Sequence, residues 1–408
     1  MASTITVDVA IFGGGVAGLW LLDELRRHGF SGVLLEAGDL GGGQTIASQG
    51  ILHGGAKYAL SGIANRAAQE VRDMPELWRD CLAGRCEPDL SQTRVRSSHC
   101  YLWRTGSLAS RLGMLGARVG LRVAPQRVEQ ADRPALLASC PGMVARLDEQ
   151  VIAPADLLAS FLQRNRESIL KIDAECGLDF ELSAAGVEAI QLLQPITGEP
   201  LILRPRRVVL TAGAGNSLLR ERLGLPTAVM QRRPLHVALA RGALPFFSGH
   251  CIDGAETRVT ITADVDAAGR VVWQIGGRLA ERGVSLDGAE LIRFARAELL
   301  AVLPGLHLSE AEWASYRIDR AELASAGGRR PDTAQIIQEG NVTTAWPTKL
   351  VLAPKLAERI VSQLPPSSLA TDACAWLDWP RPKVALAPWE ACTSWQRLGE
   401  DFSQSEAA

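Results

Sequence analysis

Residues 7–38 read VDVAIFGGGVAGLWLLDELRRHGFSGVLLEAG. The first six form a short apolar run of strand type, and Gly13-Gly14-Gly15-Val16-Ala17-Gly18 completes a GxGxxG turn directly behind it. LWLLDELRRHG then carries helical apolar spacing and closes on Gly29 as a C-cap. GVLLEAG supplies a second buried strand ending in Glu36, 18 residues past the last glycine. Strand, glycine turn, helix, strand and terminal acid together specify the first unit of a nucleotide-binding α/β fold. Gly13 permits the tight turn, Gly15 lets backbone approach a pyrophosphate, and Gly18 allows close packing of the helix, whose first amides meet the phosphate charge. Glu36 is expected on the ribose hydroxyls of an adenosine, which disfavours a 2′-phosphate and hence NADP.

Two later segments extend the ligand. LGGGQTIASQG (40–50) is a second loop of glycine and hydroxyl residues, suited to an extended cofactor with Gln44, Thr45, Ser48 and Gly50 along it. RRVVLTAGAG (206–215) reads as a buried strand running into a small-residue turn and resembles the late strand of flavoprotein folds, with Ala212 and Gly213 beside the adenine half. No second GxGxxG marks a separate pyridine-nucleotide domain. FAD is therefore the expected cofactor, with electrons entering directly from a bound substrate.

The 408 residues leave room for two interleaved domains. With 47% hydrophobic and 22% charged residues the chain is ordinary for a globular protein. A net charge of −2 gives no electrostatic case for nucleic acid as a partner. Eight cysteines without a CxxC pair or metal-type spacing fit reduced thiols in a cytoplasm, and no metal is expected. There is no basic n-region at the start, and no apolar run approaches the roughly 20 residues of a membrane span. The expected location is cytoplasmic, or peripheral to the inner face of a membrane.

SQGILHGGAKY (48–58) gathers a histidine, glycines, a lysine and a tyrosine shortly after the nucleotide turn. It is similar to an Ile-His-Gly-Gly-x-Arg-Tyr pattern, with His53, Gly54, Gly55 and Tyr58 matching and Lys57 in place of arginine. His236 in QRRPLHVALARG, Gly328-Arg329-Arg330-Pro331 and PTKLVLAPKLAE (347–358), which carries Lys349, match in order, with Pro347-Thr348 where a glycine pair is usual. On these motifs the chain resembles the D-amino-acid-oxidase superfamily of flavoproteins, and within it the FAD-dependent glycerol-3-phosphate dehydrogenases.

The resemblance implies an FAD-dependent dehydrogenase or oxidase acting on the CH–OH of a small anionic substrate, glycerol 3-phosphate first among them. Arg330 offers a planar fork for carboxylate or phosphate, Lys57 and Lys349 point charges, and Tyr58 a hydrogen bond. His53 or His236 is the candidate to accept the hydroxyl proton, and covalent flavin attachment is a competing role for His53. Oxidation of an amino acid or secondary amine is the alternative chemistry. A flavin-binding component of a larger redox complex is the alternative of another class. Oxygen, a quinone or a redox protein would take the electrons.

The fold expected is a Rossmann-type FAD-binding domain, α/β, interleaved with an antiparallel-sheet substrate domain. The first is assigned to 1–75, 150–225 and 321–363, the second to 76–149 and 226–320. Residues 364–408 hold Trp376, Trp379, Trp389 and Trp395 among prolines and read as a strap across the surface. A membrane-surface or redox-subunit contact through that tail is the second reading of its aromatic richness.

Overall fold

Val9 and Ile11 point to one face of the first strand, Ala10 and Phe12 to the other, and all four are buried. A strand covered on both faces needs this continuous apolar sequence rather than a polar alternation. The computed structural model describes residues 3–54, 71, 73–105, 125–253, 256–367, 376 and 378–398. Along the chain, β1 (Ser3–Phe12), α1 (Val16–Arg27) and β2 (Gly32–Glu36) are followed by α2 (Met74–Leu82). Five short strands come next: β3 (Val95–Ser97), β4 (Cys100–Arg104), β5 (Gln126–Arg127), β6 (Val144–Leu147) and β7 (Val151–Ile152). Helix α3 (Pro154–Asn165) leads to β8 (Ile169–Lys171), β9 (Leu178–Ser183), β10 (Gly186–Leu193) and β11 (Pro200–Leu210). After these stand β12 (Met230–Gly242), β13 (Gly249–Asp253), β14 (Glu256–Val265), β15 (Val271–Gly276), α4 (Gly288–Val302) and β16 (Glu312–Leu323). The last elements used below are β17 (Gln335–Glu339), β18 (Val342–Trp346), α5 (Ala353–Val361) and β19 (Gln396–Arg397).

These strands form two large sheets. The first runs β17-β18-β11-β1-β2-β8 and is parallel from β18 to β8, with the β9–β10 meander hung antiparallel from β11. Helices α1, α3 and α5 cover one face through Leu19, Trp20, Phe161, Leu356 and Ile360; Trp20 packs on Trp78 and Phe161 at ring-centroid distances of 4.7 and 5.4 Å. The second sheet runs β19-β16-β12-β15-β14-β13-β4-β6-β5 and is antiparallel except where β13 meets β4. Helix α4 starts on a capping box between Asp287 and Glu290 and lays Leu291, Ala295 and Leu299 against Ala238, Ala240 and Trp273 of that sheet. The chain enters the second sheet, returns to the first and enters the second again, so a ligand between them is touched by residues far apart in sequence.

Tryptophans of the tail are turned inward. The Trp376 and Trp379 indoles donate to the carbonyls of Glu167 and Lys171 at 2.7 and 2.6 Å, and Leu40 pairs with Val384 at the edge of the nucleotide loop. Trp389 packs with Leu239, Val272 and Ala314, and Arg241 stacks on Trp395 at 3.8 Å. Trp376, Trp379 and Trp389 are buried against the two sheets. No helix among the described residues is long and apolar enough to cross a membrane.

Candidate active site

β1 ends at Phe12, and the chain must reverse into α1 within three residues. Gly13 does this at φ +105°, and a Cβ there would stand 2.4 Å from the Ala212 backbone. A Cβ on Gly18 would lie 2.1 Å from the Gly13 carbonyl oxygen, so the helix can sit close behind the turn only as glycine. Gly15 is the N-cap of α1 and has no side chain to satisfy its first amides; Thr45, from the second glycine loop, accepts from Val16 N–H at 3.1 Å.

A cavity of about 1510 Å³ opens in front of this turn, lined by residues of both sheets. Gly13, Gly15, Glu36, Gln44, Thr45, Ser48, Gly50, Ala212 and Gly213 line it, while Gly18 packs behind the turn. Glu36 uses both carboxylate oxygens on backbone, accepting from Gly14 and Gly38 N–H at 2.6 Å each, so it braces the turn in addition to the ribose role that the sequence predicts. Gln44 Oε1 accepts from Ala321 N–H at 2.5 Å and ties the loop to β16. The volume exceeds the roughly 300–1,000 Å³ of common small-ligand sites, as an extended dinucleotide requires. The side-chain-free cradle at Gly13 and Gly15 and the buried Ser48 Oγ, which has no hydrogen-bond partner among the described residues, fit the pyrophosphate and linker of FAD.

Further along the lining stand His53, His250, Tyr316, Arg320, Arg330 and Lys349. His53 is the expected histidine, and it is anchored by a residue the sequence reading missed. Glu149, between β6 and β7 and 1% exposed, accepts from Gly54 N–H at 2.9 Å and from His53 Nδ1–H at 3.4 Å. His250 on β13, also missed, places Nε2 at 3.5 Å from the same carboxylate, and its Nδ1 lies 3.0 Å from Thr260 Oγ1. Burial alone would raise the Glu149 pKa; the charge of His53 and the two imidazoles beside the carboxylate hold it well below the usual carboxylate range. These three ligand-type side chains bring one atom each within 4.8 Å of one another, a spacing that would also admit a cation.

Arg330 and Arg320 form the positive part of the lining. Arg330 donates to the Thr348 carbonyl at 2.7 Å, and Arg320 to Glu281 at 3.0 Å. Each leaves a buried Nε with no hydrogen-bond partner among the described residues. Burial, then the neighbouring Arg233 and Arg330, push the Arg320 guanidinium down, so an anion between them would be welcome. Lys349 is buried and directs Nζ at the Asp332 carbonyl at 3.4 Å. Beside it Thr348 takes φ +61°, the left-handed region that favours glycine, where the resembling family has a glycine pair. Tyr316 is committed to structure: its hydroxyl donates to the Ala47 carbonyl at 2.9 Å and burial raises its pKa. Lys57 and Tyr58 lie outside the described residues.

His236 is a correction. Leu235 and Val237 line the cavity, and the alternation of β12 turns His236 to the opposite face, towards α4. Its Nδ1–H is held by the Gly283 and Leu286 carbonyls at 3.1 and 3.2 Å, and Nε2 takes the Ser315 hydroxyl at 3.0 Å. Burial lowers its pKa, so the ring is neutral with both nitrogens occupied, and it has no proton to exchange with the cavity. Nothing short-range in the sequence marks Glu149 in LDEQ or His250 in SGHCID. Arg320 is one of two arginines on β16.

Residues 8–353 match the family described as DAO, FAD dependent oxidoreductase. A probable FAD-dependent oxidoreductase of Pseudomonas aeruginosa is 40% identical over 400 residues, which cover 96% of this chain and 99% of that one. The crystal structure of an FAD dependent oxidoreductase from the same species is similar at a TM-score of 0.79 and 35% identity, again over 96% and 99% of the two chains. A stretch of 82 residues, 20% of this chain and 15% of the other, is 33% identical to one polypeptide of the anaerobic glycerol-3-phosphate dehydrogenase of Haemophilus influenzae. With the match running nearly from end to end and the dinucleotide cradle in place, the chain belongs to the DAO family of FAD-dependent oxidoreductases, with FAD as its cofactor.

Proposed function

We propose that this oxidoreductase oxidises the CH–OH carbon of a small anionic substrate, with glycerol 3-phosphate the leading candidate. The observation that carries the reading is that His53, Arg320, Arg330 and Lys349 share one cavity with the glycine turn. The guanidiniums, with Nε groups that no described residue engages, suit a carboxylate or phosphate, and Lys349 adds a point charge. FAD, when bound, supplies the two-electron acceptor for a hydride. An alcohol must lose its hydroxyl proton as the hydride leaves, and an imidazole at the cavity wall can take it. An amine carries its own lone pair and has less need of such a base, so the presence of His53 favours the alcohol. The partial likeness to the anaerobic glycerol-3-phosphate dehydrogenase points the same way.

The test is anaerobic bleaching of the flavin absorbance of the purified protein by glycerol 3-phosphate, 2-hydroxy acids, amino acids and N-methyl amino acids. Bleaching by glycerol 3-phosphate or a hydroxy acid, and not by its amino counterpart, is expected. Rapid bleaching by the amines alone would overturn the reading, and a flavin reduced by none of the four would favour a partner-dependent redox component.

A further inference from the structure

Glu149 is a buried carboxylate with three groups converging on it, and none of them is a lysine or arginine. Its Oε1 is taken by Gly54 N–H, which fixes the carboxylate against the backbone immediately after His53. Its Oε2 stands 3.4 Å from His53 Nδ1 and 3.5 Å from His250 Nε2. An ionised carboxylate only accepts, so the His53 ring must present Nδ1–H to it. His250 stands beside the same oxygen at 3.5 Å, with its Nδ1 3.0 Å from the Thr260 hydroxyl. The Nδ1–H assignment makes Nε2 of a neutral His53 the basic nitrogen of that ring. The two rings lie 5.8 Å apart, and of the two only His53 keeps appreciable exposure, its side chain 18% accessible against 0% for His250.

We infer that Glu149, backed by His250, is a positioning pair that holds the His53 ring with its Nδ1 proton turned inward and its basic Nε2 turned to the cavity. The inference rests on the proposed reading in one respect, that the proton His53 takes is the substrate's hydroxyl proton. In that step the substrate C–H leaves as hydride with two electrons for the flavin, the O–H bond breaks with its proton going to His53 Nε2, and C–O becomes C=O. The imidazolium so formed faces an ionised carboxylate, which stabilises it at the moment it appears. Without Glu149 the ring would be free to take the other tautomer and would hold the proton less well.

The neighbouring charges around this corner have partners of their own. Arg96, beside Gly50, is paired with Asp264 and donates to the Gln49 carbonyl; Arg79 pairs with Asp148 on the outside; Glu256 at the cavity wall pairs with Arg278. Among the described residues, Glu149 and His250 are thus the groups whose charge bears most directly on His53.

The chain has six histidines, so ring ¹⁵N spectra of the FAD-bound, ¹⁵N-histidine-labelled protein can be assigned by single substitutions. In the wild type His53 is expected to show the Nδ1–H tautomer. In Glu149→Gln its titration should move to lower pH by about one unit or more, with the pH profile of anaerobic flavin bleaching moving alongside it. Glu149→Asp should restore part of both shifts, and His250→Gln, the fallback if Glu149→Gln does not fold, should move them in the same direction by less. An unchanged His53 tautomer and titration in Glu149→Gln would overturn the inference, as would a stoichiometric metal ion in the purified protein that this variant loses. The ring spectra need no substrate. If the hydroxyl-substrate reading alone fails, bleaching will fail with hydroxy compounds while the His53 signature stays.

Discussion

The cavity is walled in two different ways. Around the nucleotide turn it is made of backbone: Gly13 and Gly15 contribute no side chain, Gly18 packs directly behind them, and the acid at Glu36 is spent partly on the amides of Gly14 and Gly38. Around His53 it is made of side chains from separate segments, His250 on β13, Arg320 on β16 and Arg330 beyond it, with Glu149 standing behind His53. The first wall is damaged by adding atoms and the second by removing them. Binding of the cofactor and chemistry on the substrate should therefore fail independently.

The largest effect is expected from addition. Gly18→Val drives its Cβ into the Gly13 carbonyl, a backbone contact with no room to relax, so the protein should purify without flavin or fail to fold. A flavin-loaded Gly18→Val protein would break the contrast. Deletion on the other wall should be milder in binding and sharper in kinetics. Arg330→Lys keeps a charge and loses the fork; with charged hydrogen bonds worth about 1.5–3 kcal/mol, the KM for the anion should rise roughly 10- to 100-fold in steady-state assays, with flavin content unchanged. An equal loss of flavin would place Arg330 on the cofactor instead.

The smallest kinetic effect belongs to His236, whose contacts are all to protein. Its substitution by asparagine should leave turnover within a few-fold and cost about 1–3 kcal/mol of stability in urea unfolding. The pH dependence follows from its lowered pKa. The unfolded chain binds the proton more readily, so stability is complete above about pH 6.5 and declines as pH falls below it; the asparagine variant should lose that part of the decline. A large drop in turnover with stability intact would restore His236 to the active site.

The same contrast explains what could be read from the sequence. The nucleotide wall was legible because strand, turn, helix and acid fall within residues 7–36 and each step has a local backbone requirement. Motifs singled out His53 and Arg330, which both line the cavity. His236 was misplaced because PLHVALA is apolar on both faces: Leu235 and Val237 look into the cavity, Ala238 and Ala240 into the core under α4, and nothing in the run says which phase the histidine shares. Glu149, His250 and Arg320 were missed because their meeting depends on the register of β13 beside β4 and β14 and on the return of β16 to β12, pairings made across up to 150 residues. A lone glutamate in a loop carries no local sign that two histidines will close on it.

The most direct test of the account is single-turnover anaerobic flavin bleaching in wild type and His53→Ala, read together with flavin content. Both proteins are predicted to purify with stoichiometric FAD, and the variant to bleach about 100-fold or more slowly with the hydroxyl-bearing anion, as expected for loss of a general base. Bleaching at the wild-type rate, or a variant that cannot hold FAD, would contradict it.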